Sequence, residues 1–292
     1  MNIGIIGAGK VGFSIGRFLA DNNIHIVGYY DTNNQNAAAA AEFTGTDSFD
    51  DLSETVKLSD TLFITTPDSE IAKAWDCIKK MPVRDKIICH FSGSLSSDVF
   101  SGAKEAGAKA CSVHPMLAFS NRYSSYKSLS NAFFTAEGDE GAVSEMESLL
   151  TSLGSIVCRI DKGSKALYHT AASVLSNHMV ALLDLGYSLL ERCGFSRAEA
   201  IKATNSLVKG NLQNVLDSGC VNALTGPIER GDTQTVAKHL RCLDGNDKLI
   251  YTALAQRILS LSKIKNKDRD YGEINELLKH NMPICELTEE NK

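Results

Sequence analysis

The chain has 292 residues, 43% of them hydrophobic, and a net charge of −5. That length and apolar content support one large domain or two ordinary ones with sizeable cores. The acidic balance and the dispersed Lys and Arg exclude a nucleic-acid surface, the run Lys263, Lys265, Lys267, Arg269 reads as a solvated face, and no stretch of about 18 apolar residues predicts a membrane span.

Residues 2–6 form a β-rich apolar run. The sequence Gly7-Ala8-Gly9-Lys10-Val11-Gly12 follows at once, then a helical stretch, 13–19, and a second apolar strand, 24–30, closed by Asp31. The apolar start carries no basic lead or cleavage site, so it reads as a strand and not as a signal peptide. Gly7 permits a tight turn, Gly9 leaves the backbone open to a pyrophosphate, and Gly12 lets helix and strand approach. The helix start offers N–H groups and a positive dipole end to phosphates. Asp31 lies 19 residues beyond Gly12, where an acid binds a ribose diol.

Helices are predicted over 33–43 and 51–57, a buried strand over 60–65, and a helix over 69–79. A strand over 86–91 stops at Ser92-Gly93-Ser94. Ser96 or Ser97 then caps a helix reaching residue 106, and a strand over 108–113 ends at His114-Pro115. A further strand, helix and strand, over 132–136, 139–153 and 155–160, complete a sheet. Strands alternating with helices of this length imply a doubly wound parallel sheet. Near residue 161 the pattern changes: one long helix is predicted over 165–193, with Gly194 after it. Further helices cover 196–216, 233–243, 247–262 and 271–279, and the tail from residue 283 reads as loosely ordered. The expected domains are therefore 1–161 and an all-α 162–292. Eight cysteines without a C-x-x-C pair, mostly within apolar runs, read as buried reduced thiols of a cytoplasmic protein, with no metal site and no disulfide frame.

Ligands of open α/β sheets bind beyond the carboxyl ends of the strands. That rule selects Thr65-Thr66-Pro67-Asp68, His90 to Gly93, and His114-Pro115. A second constellation is Lys165, His169, Ser173 and Asn177, spaced by four on one helix, so that ammonium and imidazole share a face. A third is Thr225-Gly226-Pro227 through Gly231-Asp232. It reads either as a connector, with Asp232 capping the next helix, or as a cleft edge where Thr225 or Arg230 anchors a substrate carboxylate.

The glycine turn, His90-Phe91-Ser92-Gly93, Ser112 to Met116, Tyr168-His169, Ser176-Asn177 and the Thr225–Asp232 stretch together span nearly the whole chain. In them the chain resembles the 6-phosphogluconate dehydrogenase and β-hydroxyacid dehydrogenase superfamily, within it Rossmann-like oxidoreductases with an uncharacterised C-terminal domain, and alternative-type ketopantoate reductases of pantothenate biosynthesis. The resemblance implies an N-terminal Rossmann domain, a helical C-terminal domain, and NAD(P)H-dependent reduction of a small 2-keto acid, with ketopantoate the leading substrate. Several of those enzymes use a lysine and an asparagine at i, i+4 on the first long helix. Lys165 stands in the lysine place and His169 in the asparagine place, so Lys165 is the residue carried over.

The expected roles follow. The cofactor, NADP or NAD, lies along Gly7, Gly9, Lys10, Val11 and Gly12, with Asp31, Thr66 and Pro67 beside it. Asp31 favours NAD; the resemblance favours NADP. Lys165 protonates the carbonyl oxygen, with His169 and His114 as further catalytic candidates. Ser92, Gly93, Ser173, Asn177, Thr225 and Arg230 bind substrate. The rival readings are an imine reductase of the pyrroline-5-carboxylate type and a non-catalytic NAD(P) sensor. Apolar residues on more than one face of the helix from Lys165 predict a homodimer.

Overall fold

The computed structural model describes residues 1–282; the tail from residue 283, with Cys285, lies outside the described residues. The described residues form two compact units that divide between Met179 and Val180.

The first unit is built on eight strands: β1 Ile3–Ile6, β2 Ile26–Tyr30, β3 Asp47–Phe49, β4 Thr61–Ile64, β5 Ile87–His90, β6 Lys109–Pro115, β7 Phe133–Gly138 and β8 Ile156–Arg159, in the order β3-β2-β1-β4-β5-β6-β7-β8. Helices α1 Lys10–Asp21, α2 Asn34–Thr44, α3 Leu52–Leu58, α4 Asp68–Ile78 and α5 Glu140–Ser152 connect them. The expected all-parallel sheet is corrected at one place. β6 and β7 pair antiparallel, with His114 opposite Thr135 and Ser112 opposite Glu137. A parallel neighbour needs a crossover, usually a helix. The 116–132 connection holds only a 3₁₀ turn, Ser125–Ser128, and the chain turns back.

Two apolar layers sandwich the sheet. Phe13, Ile15 and Phe18 of α1 pack with Ile3, Ile5 and Phe63 on one face. Ile71, Trp75 and Ile78 of α4, spaced for one helical side, pack with Ile6, Leu62, Ile64 and Ile88 on the other. The Trp75 indole N–H donates to the Ser101 carbonyl at 2.9 Å. Asn33 caps α2 by accepting from Gln35 N–H. β3 is missing from the sequence reading, because Asp47-Ser48-Phe49 is short and polar and shows no alternation. The helix expected to reach residue 106 is only a 3₁₀ turn, Ser97–Val99, capped by Ser96. Gly102 follows at φ +81°, a left-handed backbone that an α-helix does not contain.

The helix predicted from Lys165 has three parts: α6 Lys165–Ser173, a π-helical turn Val174–His178, and α7 Met179–Arg192. α7 ends at Arg192, and Gly194 follows at φ +98°. In the second unit α8, Arg197–Ala223, opens with a capping box in which Ser196 and Glu199 each accept the other's backbone N–H, and kinks at Gly219. α9 Pro227–Arg230, α10 Thr233–Cys242, α11 Gly245–Lys265 and α12 Gly272–His280 follow. Their core joins Val236, Leu240, Leu259, Ile274 and Leu278. The expectation of buried thiols is also corrected. Cys89 and Cys111 are buried, but Cys77, Cys158, Cys193, Cys220 and Cys242 are exposed. No helix among the described residues is long and apolar enough to cross a membrane.

Candidate active site

The glycine turn joins β1 to α1. Gly7 has φ +101°, and a Cβ there would lie 2.8 Å from the Thr66 backbone nitrogen, so both conformation and space require glycine. A Cβ on Gly12 would collide with the Gly7 carbonyl oxygen and lie 2.8 Å from Thr65 Oγ1. At Gly9 a Cβ would meet nothing within 4 Å. That open main chain is the N-cap of α1, and no side chain caps it. The helix start is left to an outside acceptor, which a dinucleotide's pyrophosphate supplies.

Thr65, at the end of β4, fastens the turn by donating to the Gly7 carbonyl at 2.5 Å. Beside it lies a cleft of about 570 Å³ lined by Gly7, Gly9, Asp31, Thr66, Pro67 and Lys73, among others. The Asp31 carboxylate accepts from Ala8 N–H at 2.6 Å and from Asn33 N–H at 2.8 Å, which fixes it at the rim. Lys73, the cation in this lining, is paired to Glu70 at 2.8 Å. These residues fit a dinucleotide, with the acid placed for a ribose diol.

Further along the same strand ends a second cluster assembles. Side chains alternate along a strand. Ser112 and His114 of β6 therefore share a face with their partners Glu137 and Thr135 of β7, while Cys111, Val113, Phe134 and Ala136 enter the apolar layer opposite. Lys165 opens α6 and is 2% exposed. Its ammonium donates to the Ser92 carbonyl at 2.9 Å and lies 5.7 Å from the Tyr168 ring centre. Burial pulls its pKa below the ordinary lysine value, and the carboxylates of Glu137 and Asp68 oppose that pull.

Tyr168, three residues on, hydrogen-bonds His114 Nδ1 through its hydroxyl at 2.7 Å. Burial, with Lys165 and His169 adding to it, pushes the His114 pKa down to about 4, so the ring is neutral at physiological pH. His169 stands edge-on to His114, ring centres 6.4 Å apart, and its Nδ1 is buried without a partner.

Other predicted residues have different settings. The Ser92 hydroxyl is engaged: it donates to Asp68 at 2.8 Å and accepts from the Ser94 and Leu95 N–H groups. That network shapes the loop and leaves Gly93 facing the histidines. His90 is structural. Its Nδ1 accepts from Ser92 N–H at 3.1 Å, so its Nε2–H donates to the Ser96 carbonyl at 3.2 Å, and burial lowers its pKa to about 4. Ser173 keeps the half-buried side of α6, whereas Asn177, in the π turn, is exposed and accepts from the Ser176 hydroxyl at 2.8 Å. A π turn adds a residue to the helical period, so the stripe of four does not stay on one face. Lys10 is exposed and Val11 half-buried at the start of α1.

Thr225 and Arg230 belong to the second unit, and both are exposed there. Asp232 caps α10, accepting from Thr235 N–H at 3.0 Å, as the connector reading expects. The second unit also holds an apolar cavity of about 510 Å³ that includes Leu182, Leu189, Ile228 and Leu254.

Sequence reasoning placed Thr65 and Asp68 at a selected strand end without a role of their own, passed over Thr135 and Glu137, and gave Tyr168 no role. One signal was available. Glu137 is the one charged residue of β7, 3% exposed, and both its oxygens are taken up by Ser97, at 2.7 and 2.8 Å.

Residues 1–115 match the Rossmann-like domain family, and residues 132–258 match the family described as a domain of unknown function, DUF2520. Glucose-6-phosphate 3-dehydrogenase of Bacillus subtilis (strain 168) is 29% identical over 125 residues, 42% of this chain and 35% of that protein. The chain thus spans about a third of the length of the curated relative it matches.

Among solved structures, protein TM1727 from Thermotoga maritima aligns with a TM-score of 0.71 at 24% identity, over 90% of this chain and 99% of that one. A pyrroline-5-carboxylate reductase from Coxiella burnetii aligns at 0.61 with 13% identity, over 97% and 98%. A reductive aminase from Aspergillus terreus, in complex with NADPH and ethyl-5-oxohexanoate, aligns at 0.62 with 14% identity, over 94% and 99%. At these identities the likeness is one of fold, and it extends through the DUF2520 part as well as the Rossmann-like part.

Proposed function

We propose that the protein is an NAD(P)H-dependent oxidoreductase that reduces the carbonyl of a small 2-keto acid, with ketopantoate the leading candidate. The observation that carries the reading is Lys165: a buried ammonium at the carboxyl edge of the sheet whose first strand ends in the glycine turn. The oxidoreductase class is also supported by the named neighbours. The choice of ketopantoate rests on resemblance.

A reduced nicotinamide cofactor, when bound along Gly7, Gly9 and Gly12, supplies the hydride. As the carbonyl carbon gains that hydride, its oxygen becomes an alkoxide. Lys165 Nζ gives it a proton, and the alcohol leaves with the lysine neutral until solvent reprotonates it. The Ser92 carbonyl holds Nζ in place, and Glu137 and Asp68 keep the amine cationic in a site where burial disfavours charge. The lowered Lys165 pKa brings proton donation closer to the working pH. At the cleft, the fixed Asp31 carboxylate favours NAD over NADP, since it repels a 2′-phosphate.

Replacing Lys165 by Ala is expected to collapse turnover of the 2-keto acid and to leave dinucleotide affinity unchanged, measured by steady-state kinetics and by fluorescence titration with NADH and NADPH. Wild-type turnover in Lys165→Ala ends the assignment. A second reading, reduction of a C=N bond, is favoured by the pyrroline-5-carboxylate reductase and reductive aminase neighbours. An imine reductase does not need the lysine acid, so a panel of imines assayed with Lys165→Ala separates the two.

The reading includes a homodimer. Leu167 and Leu175 are 74% and 70% exposed, and Leu207 and Leu216 on α8 are 64% and 70% exposed, more apolar helix surface than a monomer ordinarily leaves in water. Sedimentation equilibrium on the wild type and on Leu207→Glu tests it: a dimer is expected for the first and a monomer for the second.

A further inference from the structure

Residues 116–132 leave β6 just after His114 and return to β7 just before Thr135, with a single 3₁₀ turn between. Connections of more than about 12–15 residues without regular structure are uncommon, and the ordered ones usually serve a site. The middle of this one is tied to itself. Asn121 N–H donates to Ser125 Oγ at 3.2 Å, Tyr123 N–H to Asn121 Oδ1 at 2.8 Å, and Ser125 N–H to the Asn121 carbonyl at 3.0 Å. Among the described residues no hydrogen bond or ion pair fastens 117–128 to α1 or α2. Packing holds it there: Leu117, Phe119 and Tyr126 lie against the apolar layer, and Tyr123 stands edge-on to Phe13 and Phe43 at 5.5 and 5.3 Å. Apolar packing is non-directional, so this segment can shift without breaking a bond to the helices.

The segment carries two cations, Arg122 and Lys127, and no acid. The Arg122 guanidinium lies 5.0 Å from the Phe13 ring centre and 5.4 Å from that of Tyr123. Among the described residues no carboxylate pairs with it, and its N–H donors have no protein acceptor. Phe13 stands directly after Gly12, and its N–H donates to the Gly9 carbonyl at 3.0 Å. The stacked guanidinium therefore rests on the first turn of the helix that opens at the glycine turn. A dinucleotide's diphosphate brings about two negative charges to that helix start. The helix itself offers roughly half a unit of positive charge. Lys10 is exposed there, and Lys73, the cation of the cleft lining, is paired to Glu70. The diphosphate is left short of neutral, and Arg122 is a cation without a partner on the same helix turn.

We propose that the 116–132 connection is a strap that closes on the bound dinucleotide, with Arg122 leaving the Phe13–Tyr123 stack for the diphosphate oxygens. The exchange trades a weak contact for a strong one. Stacking of a half-exposed cation on a ring contributes little, whereas guanidinium bonds to a phosphate are charge-assisted and two-pronged. The ends of the strap are pinned while its middle moves: Met116 N–H donates to the Phe133 carbonyl at 2.8 Å, and Ser155 Oγ donates to the Leu129 carbonyl at 3.0 Å. The strap rests on the dinucleotide reading of the glycine turn and on no choice of substrate.

Limited trypsin digestion of the full chain, read by mass spectrometry, tests the strap, since Arg122 and Lys127 are its two cleavage points. NADH and ADP-ribose, which share the diphosphate, are each expected to slow cleavage after Arg122 about tenfold. AMP, which lacks the diphosphate, is expected to leave the rate unchanged. In fluorescence titrations Arg122→Gln is expected to weaken NADH about tenfold, and Arg122→Lys to restore part of that loss. Added KCl is expected to weaken NADH more steeply in the wild type than in Arg122→Gln. Wild-type NADH affinity in Arg122→Gln, equal salt dependence in the two, or cleavage that NADH does not slow overturns the strap. Protection by NADH without protection by ADP-ribose also overturns it, because the closing contact then lies with the nicotinamide. If Arg122→Gln does not fold, the wild-type digestions decide. Failure of NADH to bind the wild type removes the dinucleotide reading and the strap together. NADH binding with an indifferent Arg122 removes the strap alone.

Discussion

The glycine turn and the Lys165 cluster lie along the strand ends of the same sheet and are made in opposite ways. The turn uses main chain: its parts are contiguous, its space comes from side chains that are absent, and Asp31 and Thr65 fasten it from other elements. The cluster uses groups from α4, the β5 loop, β6, β7 and α6, and the Lys165–Ser92 bond alone joins residues 73 apart. A main-chain site is robust to titration and sensitive to bulk. A side-chain site built around a buried cation and neutral imidazoles is sensitive to pH and to the loss of one amine.

The largest test of that contrast removes the amine without removing volume. Lys165→Met is expected to reduce turnover roughly a hundred- to ten-thousand-fold with dinucleotide affinity unchanged. Because burial lowers the Lys165 pKa in the folded state, the unfolded chain binds the proton more readily, and at neutral pH the buried ammonium opposes folding. The same substitution is therefore expected to raise the urea midpoint. A parallel loss of dinucleotide binding would merge the two regions into one.

Acid provides the next test. His90 and His114 have folded pKa values of about 4 against an ordinary 6.5. The unfolded state then binds more protons between those values. Stability is complete above pH 6.5 and is lost as the pH falls towards 4, by roughly 3 kcal/mol for each imidazole. Urea midpoints measured from pH 7 down to pH 4 should fall accordingly. A flat profile would deny that these rings are buried neutral.

On the main-chain side, Gly12→Ala forces a methyl against the Gly7 carbonyl and Thr65. It is expected to destabilise by about 1–3 kcal/mol and to weaken dinucleotide binding, while the His114 nitrogen resonances stay in place. The smallest effect is a control outside both regions. Ser196→Ala removes the capping box of α8 and is expected to lower stability by about 1 kcal/mol, read from the urea midpoint, with both ligand affinities untouched.

How much was legible follows the same division. The strand, glycine turn, helix and acid were readable because each link is local. The alternation of strands and helices was readable for the same reason, down to Asn33 at the start of α2 and Ser196 at the start of α8. Lys165 was found by resemblance and by its i, i+4 relation to His169. Glu137 and Thr135 were not found, since their importance depends on which strand pairs with which. The reversal at β7 has no marker in its own residues. Nor did the spacing of Lys165, His169, Ser173 and Asn177 announce the π turn at Val174–His178 that takes Asn177 out of line.

The reversed strand has a further effect. The rim of an open sheet normally gathers residues from where strands finish. Here β7 adds residues from near where a strand starts, and Thr135 arrives opposite His114 by that route. Its placement depends on how many residues lie between Pro115 and Phe133. A slip of one residue in that ladder would turn Thr135 and Glu137 to the far face together. Loop length thus tunes this edge without any change upstream, and insertions in that stretch would alter the chemistry while leaving the glycine turn as it is.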